Sequence, residues 1–428
     1  MIAVLVIAGV ASLAAFAGLH WYAWRRLVRD TTVRASLARR AGTAVFVLGP
    51  LLMFAAVASE RAGAPFWLQQ VLSWPGFLWM AFSIYLVLAV LVGEVVRPLL
   101  RRYLDRRSAP GGAEPGPVPE PVLVPTREPD GLPTATTASI PTPTAPVTPS
   151  AAADPSRRLF VSRVVGGAAA VAATGIVGNG AYGVLRGPRV KRVTVPLARL
   201  PRSAHGFRIA VVSDIHLGPV LGRGFAQRVV DTINSTQPDL IAVVGDLVDG
   251  SVEDLAPAVA PLAGLRARHG TYFVTGNHEY FSGAEPWVEH VREIGLRPLE
   301  NARVEMGAFD LAGVNDVTGE NYGDGPDYDK ALGDRDPARA AVLLAHQPVM
   351  IHEAVKHGVD LQLSGHTHGG QLWPGNFIAD AANPTLAGLE RYGDTQLYVS
   401  RGAGAWGPPV RVGAPSDITV VELASKRA

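Results

Sequence analysis

The sequence predicts an α/β domain in its C-terminal half, preceded by an all-α transmembrane region. Two observations support this prediction. The first part of the chain carries long apolar stretches separated by arginine-rich loops, and from about residue 195 short apolar runs alternate with amphipathic segments. Long apolar stretches are typical of membrane-spanning helices, whereas buried strands that alternate with helices are typical of layered α/β folds.

Composition excludes several classes of protein. The chain has 428 residues, of which 48% are hydrophobic, and it contains no cysteine, so disulfides and thiolate metal sites are excluded. The net charge of +2 conceals an asymmetry, because residues 200–428 hold 18 basic and 28 acidic side chains, a net charge of 18 − 28 = −10. An acidic domain lacks the basic face that nucleic acids require, so no nucleic-acid partner is expected.

Residues 1–108 are predicted to form three transmembrane helices. The stretches 1–24, 41–59 and 67–93 each supply the roughly 20 apolar residues that a bilayer crossing needs. The loops that follow the first and third stretches are rich in arginine. The positive-inside rule places both loops in the cytoplasm and the N-terminus outside, which predicts a multi-pass protein of the cell membrane.

Residues 109–156 are predicted to form a disordered Pro/Thr/Ala-rich linker, since 13 of the 34 prolines lie between Pro110 and Pro155.

Residues 157–190 are predicted to form a fourth transmembrane helix. Its start, Ser-Arg-Arg-x-Phe at 156–160, resembles a twin-arginine export signal, with an ordinary fourth span as the alternative. Both interpretations place the following domain, residues 195–428, outside the cytoplasm, although basic residues at 186–192 would then lie on the outer side.

Side chains suited to metal binding follow five of the predicted strands. Ligands of α/β sheets gather at the carboxyl ends of strands, and buried carboxylates and imidazoles are costly unless they are paired or bind metal. These side chains outnumber the ligands of one ion, so two divalent ions are predicted, with Mn, Fe, Zn or Ni suited to the oxygen and imidazole ligands. The strand ends carry Asp214 and His216, Asp246, Asn277 and His278, His346, and His366 and His368.

These residues occur in motifs that resemble those of the calcineurin-like metallophosphoesterases, in particular the bacterial membrane-attached or exported branch. The resemblance covers about residues 195–425 and implies a four-layer α/β/β/α sandwich with a binuclear metal centre. The motifs, in chain order, are Asp214-Ile-His216, Gly245-Asp246-x-x-Asp249, Gly276-Asn277-His278-Glu279, a lone His346 and Gly365-His366-x-His368.

The resemblance also implies a role for each residue. Asp214, His216 and His368 would bind the first metal, and Asn277, His346 and His366 the second. Asp246 would bridge both ions. His278 would face the substrate as the catalytic acid, and Asp249 would orient His278.

The implied activity is that of a membrane-anchored phosphoric ester hydrolase. A metal-bridging hydroxide would attack phosphate mono- or diesters in line, with lipid or cell-envelope phosphoesters as candidate substrates. The expected partners are this substrate, the lipid bilayer and the twin-arginine export machinery. A catalytically silent metal-binding or sensing module on the same fold is the alternative, and Arg411 and Asp316 are further candidates for substrate contacts.

Overall fold

The computed structural model describes residues 2–108 and 155–426 of the chain. The predicted linker at 109–156 lies outside the described residues, apart from residues 155 and 156, which begin a helix. The N-terminal region is helical, as predicted. Its four long helices are α1 (Ile2–Trp24), α2 (Leu37–Arg61), α3 (Phe66–Ser108) and α4 (Pro155–Leu185).

Within the described residues, three helices are long and apolar enough to cross a membrane: Leu37–Arg61, Phe66–Arg107 and Arg158–Leu185. The helix α3 continues past residue 93, where the sequence analysis ended the third span, to Ser108. Charged residues at 94 and 97 mark the end of the apolar stretch, but they do not interrupt the backbone hydrogen bonds of a helix. The apolar span predicted from the sequence lies within α3, but the helix is longer than this span and ends at Ser108.

A charged layer lies at one end of this helical region. Arg26, which follows α1, forms an ion pair with Glu94 of α3 at 2.7 Å, and Arg97 lies 3.2 Å from the same carboxylate. Arg163 of α4 donates to the carbonyl of Thr31 at this level. The last residues of α4 lead away from this layer into the C-terminal domain. The domain is therefore attached at the end of the helices opposite to their charged layer.

The C-terminal domain contains two six-stranded sheets. The strands are β1 (Arg189–Leu197), β2 (Phe207–Val212), β3 (Leu240–Val244), β4 (Thr271–Val274), β5 (Arg297–Pro298), β6 (Ala302–Glu305), β7 (Phe309–Gly313), β8 (Ala340–Leu344), β9 (Leu361–Ser364), β10 (Gly388–Tyr392), β11 (Thr395–Val399) and β12 (Asp417–Ser425). In the first sheet the order is β1-β12-β2-β3-β4-β5, and β2 to β5 run parallel. In the second sheet the order is β10-β11-β9-β8-β7-β6, with a parallel centre.

Three apolar cores join these sheets and their helices into four layers. One core lies between the first sheet and α5, α6 and α8, one between the two sheets, and one between the second sheet and α9 and α10. The predicted α/β/β/α sandwich is therefore confirmed. The helices of the domain are α5 (Arg223–Ser235), α6 (Val252–Val259), α7 (Asn277–Ser282), α8 (Ala284–Glu293), α9 (Tyr328–Leu332), α10 (Ile351–Lys356) and α11 (Asn376–Ala382).

The domain is also in contact with the sides of α3 and α4. Val410 packs in a buried cluster with Tyr85 of α3 and Val177 of α4. The Tyr85 hydroxyl donates to the carbonyl of Trp373 at 2.9 Å. Gly180 of α4 lies so close to the 410–411 backbone that a Cβ atom there would meet the Arg411 carbonyl oxygen at 2.8 Å. The helices α3 and α4 are thus packed directly against the C-terminal domain.

Candidate metal centre

The predicted ligands converge at one edge of the sandwich. The strands β2, β3 and β4 end there in the first sheet, and β8 and β9 end there in the second, so each strand delivers the residues just after its carboxyl end. Within the described residues, three overlapping groups have ligand atoms within 4.8 Å of one another. They are Asp214, His216 and His368; His216, Asp246 and His278; and Asp246, His346 and His366.

The first group consists of the three residues that the family resemblance implies as ligands of the first metal. The Nε2 atom of His368 lies 3.2 Å from Asp214 Oδ1 and 3.0 Å from the Nε2 atom of His216. All three side chains are buried. Two imidazole nitrogens and a carboxylate oxygen at these separations form a ligand set suited to a divalent transition metal.

The third group lies on the other side of Asp246. The Oδ2 atom of Asp246 is 3.1 Å from His346 Nε2 and 3.8 Å from His216 Nε2, so one carboxylate stands between the two sets of ligands. His366 Nδ1 contacts the side-chain oxygen of Asn277 at 2.9 Å, which brings the predicted amide ligand to this set. The arrangement has the two halves and the shared carboxylate that a binuclear site requires.

The hydrogen bonding of His346 tests whether these residues fit a metal. Its Nδ1 atom donates to the Val244 carbonyl at 2.8 Å, so Nε2 is the ring nitrogen that remains to bind a metal. This Nε2 atom is buried and has no hydrogen-bond partner among the described residues, although it lies 3.1 Å from an oxygen of Asp246. A buried polar nitrogen without a hydrogen-bond partner is costly, and a cation between this nitrogen and the carboxylate would satisfy both. The residues therefore fit a divalent metal.

The backbone at the site adopts a conformation that is rare for residues with side chains. Nine non-glycine residues in the described part of the chain have positive φ angles, and five of them are predicted ligands: Asp214, His216, Asp246, His366 and His368. Such left-handed positions cost energy and persist where the surrounding structure enforces them, typically at functional sites. The close approach of the loops also needs glycine, since a Cβ atom at Gly365 would overlap Ser213 and Asp214.

Comparisons with known proteins show which family the chain belongs to. Residues 207–370 match the family model described as calcineurin-like phosphoesterase. The chain is 37% identical over 275 residues to an uncharacterized metallophosphoesterase of Helicobacter pylori, a match that spans 64% of this chain and 74% of that protein. The chain belongs to the calcineurin-like metallophosphoesterase family. It is also 41% identical over 253 residues to the transmembrane protein with metallophosphoesterase domain of Bos taurus, spanning 55% of this chain and 57% of that protein.

Among solved structures, the chain matches a dimetal phosphatase from Danio rerio. The two share 13% sequence identity with a TM-score of 0.37, over 51% of this chain and 93% of the other.

His278 and Asp249 lie on the open side of this metallophosphoesterase site. The Asp249 Oδ1 atom is 2.6 Å from His278 Nδ1 and 2.9 Å from His216 Nδ1. Burial opposes the charge of Asp249, but the two imidazoles outweigh it and lower the pKa of this carboxyl. Burial also opposes the charge of His278, but the hydrogen bond and charge of Asp249 outweigh it and raise the pKa of His278 to about 9. The raised pKa favours the protonated form of His278, which is the form that the predicted role of catalytic acid requires.

The structure gives Glu279 a role that the sequence analysis missed. Its buried carboxylate accepts three backbone N–H groups, from Asp246 at 2.9 Å, Leu247 at 2.7 Å and Gly276 at 2.6 Å. These residues belong to the loops after β3 and β4, so Glu279 joins the two loops that carry Asp246 and Asn277. An acidic residue within Gly-Asn-His-Glu was the only signal in the sequence, and it does not reveal three backbone partners.

Arg411 and Asp316, the two further candidates for substrate contacts, are buried and bind protein groups instead. The Arg411 guanidinium donates to Nδ1 and to the carbonyl of His368, both at 3.0 Å. Asp316 accepts from the Thr318 backbone at 2.8 Å and from the Gln347 side chain at 2.9 Å. Neither side chain lies at the open side of the site: Arg411 contacts a predicted ligand, and Asp316 fixes a loop.

Two exposed aromatic side chains lie beside His278 on the open side of the metallophosphoesterase site. The rings of Phe281 and Trp406 lie 5.5 Å and 5.8 Å from the His278 ring, and they are 65% and 60% exposed. Trp373, Phe377 and Ile378, which follow the last ligand motif in the sequence, are also exposed. Exposed apolar groups next to a site are typical of a surface that contacts apolar material.

Proposed function

We propose that this chain is a membrane-anchored hydrolase of phosphate mono- or diesters that uses two divalent metal ions. The observation that carries the proposal is the position of Asp246 between two sets of ligands, with His278 beside them on the open side. Family membership supports the chemistry, since the matched model describes a phosphoesterase.

The side chains divide the work of the reaction. Asp214, His216 and His368 would hold one ion, Asn277, His346 and His366 the other, and Asp246 both. When bound, the ions would polarise the phosphoryl oxygens and activate water for in-line attack. His278 would donate its proton to the departing ester oxygen, and Asp249 would fix the ring so that its Nε2 atom faces the substrate.

We further propose that the protein is multi-pass and that its catalytic domain lies outside the cytoplasm. Arginines accumulate at the end of the helices that carries the Arg26–Glu94 ion pair, and the positive-inside rule places such an end in the cytoplasm. The domain is attached at the opposite end. Export through the twin-arginine machinery would carry the domain across already folded.

The substrate that fits this setting is a lipid phosphoester. Two exposed aromatic side chains, Phe281 and Trp406, lie beside His278, and the domain contacts helices that can cross a bilayer. A soluble phosphoester has no apolar part that could bind to such side chains. A lipid could place its phosphate in the site while its apolar part remains in contact with apolar side chains.

The decisive experiment uses the full chain purified in detergent and loaded with Mn²⁺. Hydrolysis of bis(p-nitrophenyl) phosphate and p-nitrophenyl phosphate is measured for the native protein and for Asp246→Asn. Turnover that is lost in the variant supports the proposed hydrolase. No turnover with any divalent metal, in protein that nevertheless binds metal, would identify the silent binding or sensing module instead.

A further inference from the structure

An apolar groove runs between α3 and α4. Its volume is about 510 Å³, and it extends along α3 from Tyr85 to Leu100. These residues are fifteen positions apart, which corresponds to about 22 Å of helix. Three of the six α4 residues that line the groove are small, namely Ala168, Ala169 and Ala172, and they leave space between the two helices. The groove is therefore long and narrow, with the dimensions of an extended chain rather than of a compact ligand.

The lining of the groove determines the polarity of an occupant. Every lining side chain is apolar except those of Tyr85 and Trp373, and the Tyr85 hydroxyl is engaged by the Trp373 carbonyl. Both walls belong to helices that are long and apolar enough to cross a membrane, and Val92 and Ala172 are exposed along the open side. An occupant that enters from this side is a lipid chain, because the acyl region of a bilayer contains no other abundant molecule.

One end of the groove is formed by the catalytic domain. Trp373 and Val412 close this end, and the Trp373 N–H donates to the Val412 carbonyl at 2.9 Å. Trp373 lies five residues after the predicted ligand His368, and Val412 directly follows Arg411, whose guanidinium donates to His368. The segments that end the groove are thus the segments that hold one side of the metal centre.

We propose that this groove binds an acyl chain of a glycerophospholipid whose phosphoester occupies the metal centre. The proposal rests on the proposed hydrolase function and specifies its substrate class. The groove binds the acyl chain, and the metal-binding edge binds the phosphate. Trp373 and Val412 lie at the boundary between the acyl chain and the headgroup. The length and the polarity of the groove meet the requirements of an acyl chain, and Arg411, next to Val412 at one end of the groove, donates to the predicted ligand His368.

A substitution within α4 tests the proposal with a matched control. Ala172→Phe places a ring in the groove, whereas Val171→Phe adds a ring at the neighbouring exposed position outside it. The full chain with each change is assayed in detergent on dipalmitoyl phosphatidylglycerol, its dihexanoyl counterpart and bis(p-nitrophenyl) phosphate. We expect Ala172→Phe to raise KM for the dipalmitoyl lipid by about tenfold or more while the other two substrates are unaffected, and Val171→Phe to change nothing. Equal KM values for the dipalmitoyl lipid in both variants would overturn the groove proposal.

A binding measurement separates this proposal from the proposed function. The full chain is reconstituted with dipalmitoyl phosphatidylglycerol, returned to detergent and analysed by native mass spectrometry for retained lipid. Retention by the native protein and by Val171→Phe, together with its loss in Ala172→Phe, supports the groove even if no ester is hydrolysed. Absence of retained lipid from the native protein would overturn the groove, even if bis(p-nitrophenyl) phosphate is hydrolysed.

Discussion

The Oδ1 atom of Asp249 lies 2.6 Å from Nδ1 of His278, and the same oxygen is 2.9 Å from Nδ1 of His216. One carboxylate therefore orients both the proposed proton donor and a predicted metal ligand. The Nδ1 atom of each ring faces the same acceptor, which fixes the orientation of both rings and leaves Nε2 of each ring for its proposed function. Asp249 thereby links His278 to the geometry of the metal centre.

The first prediction concerns this shared carboxylate. Asp249→Asn replaces a charged acceptor by an amide and should lower kcat by about 10–100-fold, because groups that orient ligands contribute this much to activity or metal affinity. Steady-state kinetics and metal analysis on the same preparation measure both effects. The matched control is Asp254→Asn at an exposed helix start, which should behave as the native protein. Unchanged kinetics in Asp249→Asn would contradict the proposed dyad.

The second prediction concerns metal content. The native chain should bind two divalent ions, and Asp246→Asn should bind fewer and lose more than about 100-fold in activity, since it alters the carboxylate between both sets of ligands. Elemental analysis by mass spectrometry gives the stoichiometry. His346→Ala should also lose metal, whereas His352→Ala, on the exposed side of α10, should not. Native stoichiometry in Asp246→Asn would refute the shared site.

The third prediction concerns the contribution of Glu279 to the stability of the fold. Glu279→Gln should lower the free energy of unfolding by about 1–3 kcal/mol, because the amide cannot accept all three backbone N–H groups and leaves one of them without an acceptor. Denaturant unfolding of the full chain in detergent measures the change. Glu289→Gln, an exposed position on α8, provides the control. Equal stability of the two variants would show that the three bonds to Glu279 do not stabilise the fold.

The fourth prediction addresses export. Replacing Arg157 and Arg158 by lysine should leave the catalytic domain in the cytoplasm if the twin-arginine pair is used. Digestion of the domain by protease added to spheroplasts reports its location, and Arg186→Lys serves as the control outside the pair. A domain that is still digested in the double variant shows that the segment is inserted as an ordinary fourth span.

The sequence predicted the parts of the site that follow from local pattern. The strands β2, β3, β4, β8 and β9 are short apolar runs, and each is followed by an acidic residue, an asparagine or a histidine, so their convergence followed from the rule for parallel sheets. The short strands β6 and β10 were not predicted, because Ala302–Glu305 and Gly388–Tyr392 contain charged residues and few apolar ones. Their pairing comes from the neighbouring strands.

Contacts between distant parts of the chain could not be predicted from local pattern. Arg411 and His368 are 43 residues apart, and only the folded chain brings the guanidinium onto the imidazole. The same holds for Tyr85 and Trp373, which are 288 residues apart. A single sequence contains no signal for such pairs, because no motif in it identifies Arg411 as the partner of His368 or Trp373 as the partner of Tyr85.

The segment 410–412 has two faces with different neighbours. Val410 and Val412 face α3 and α4, whereas Arg411 faces His368. Helices adjust their tilt to the thickness of the surrounding bilayer, and any movement of α4 relative to α3 acts directly on this segment. The predicted metal ligand His368 would then respond to the thickness of the bilayer, so that the membrane itself could alter the geometry of the site.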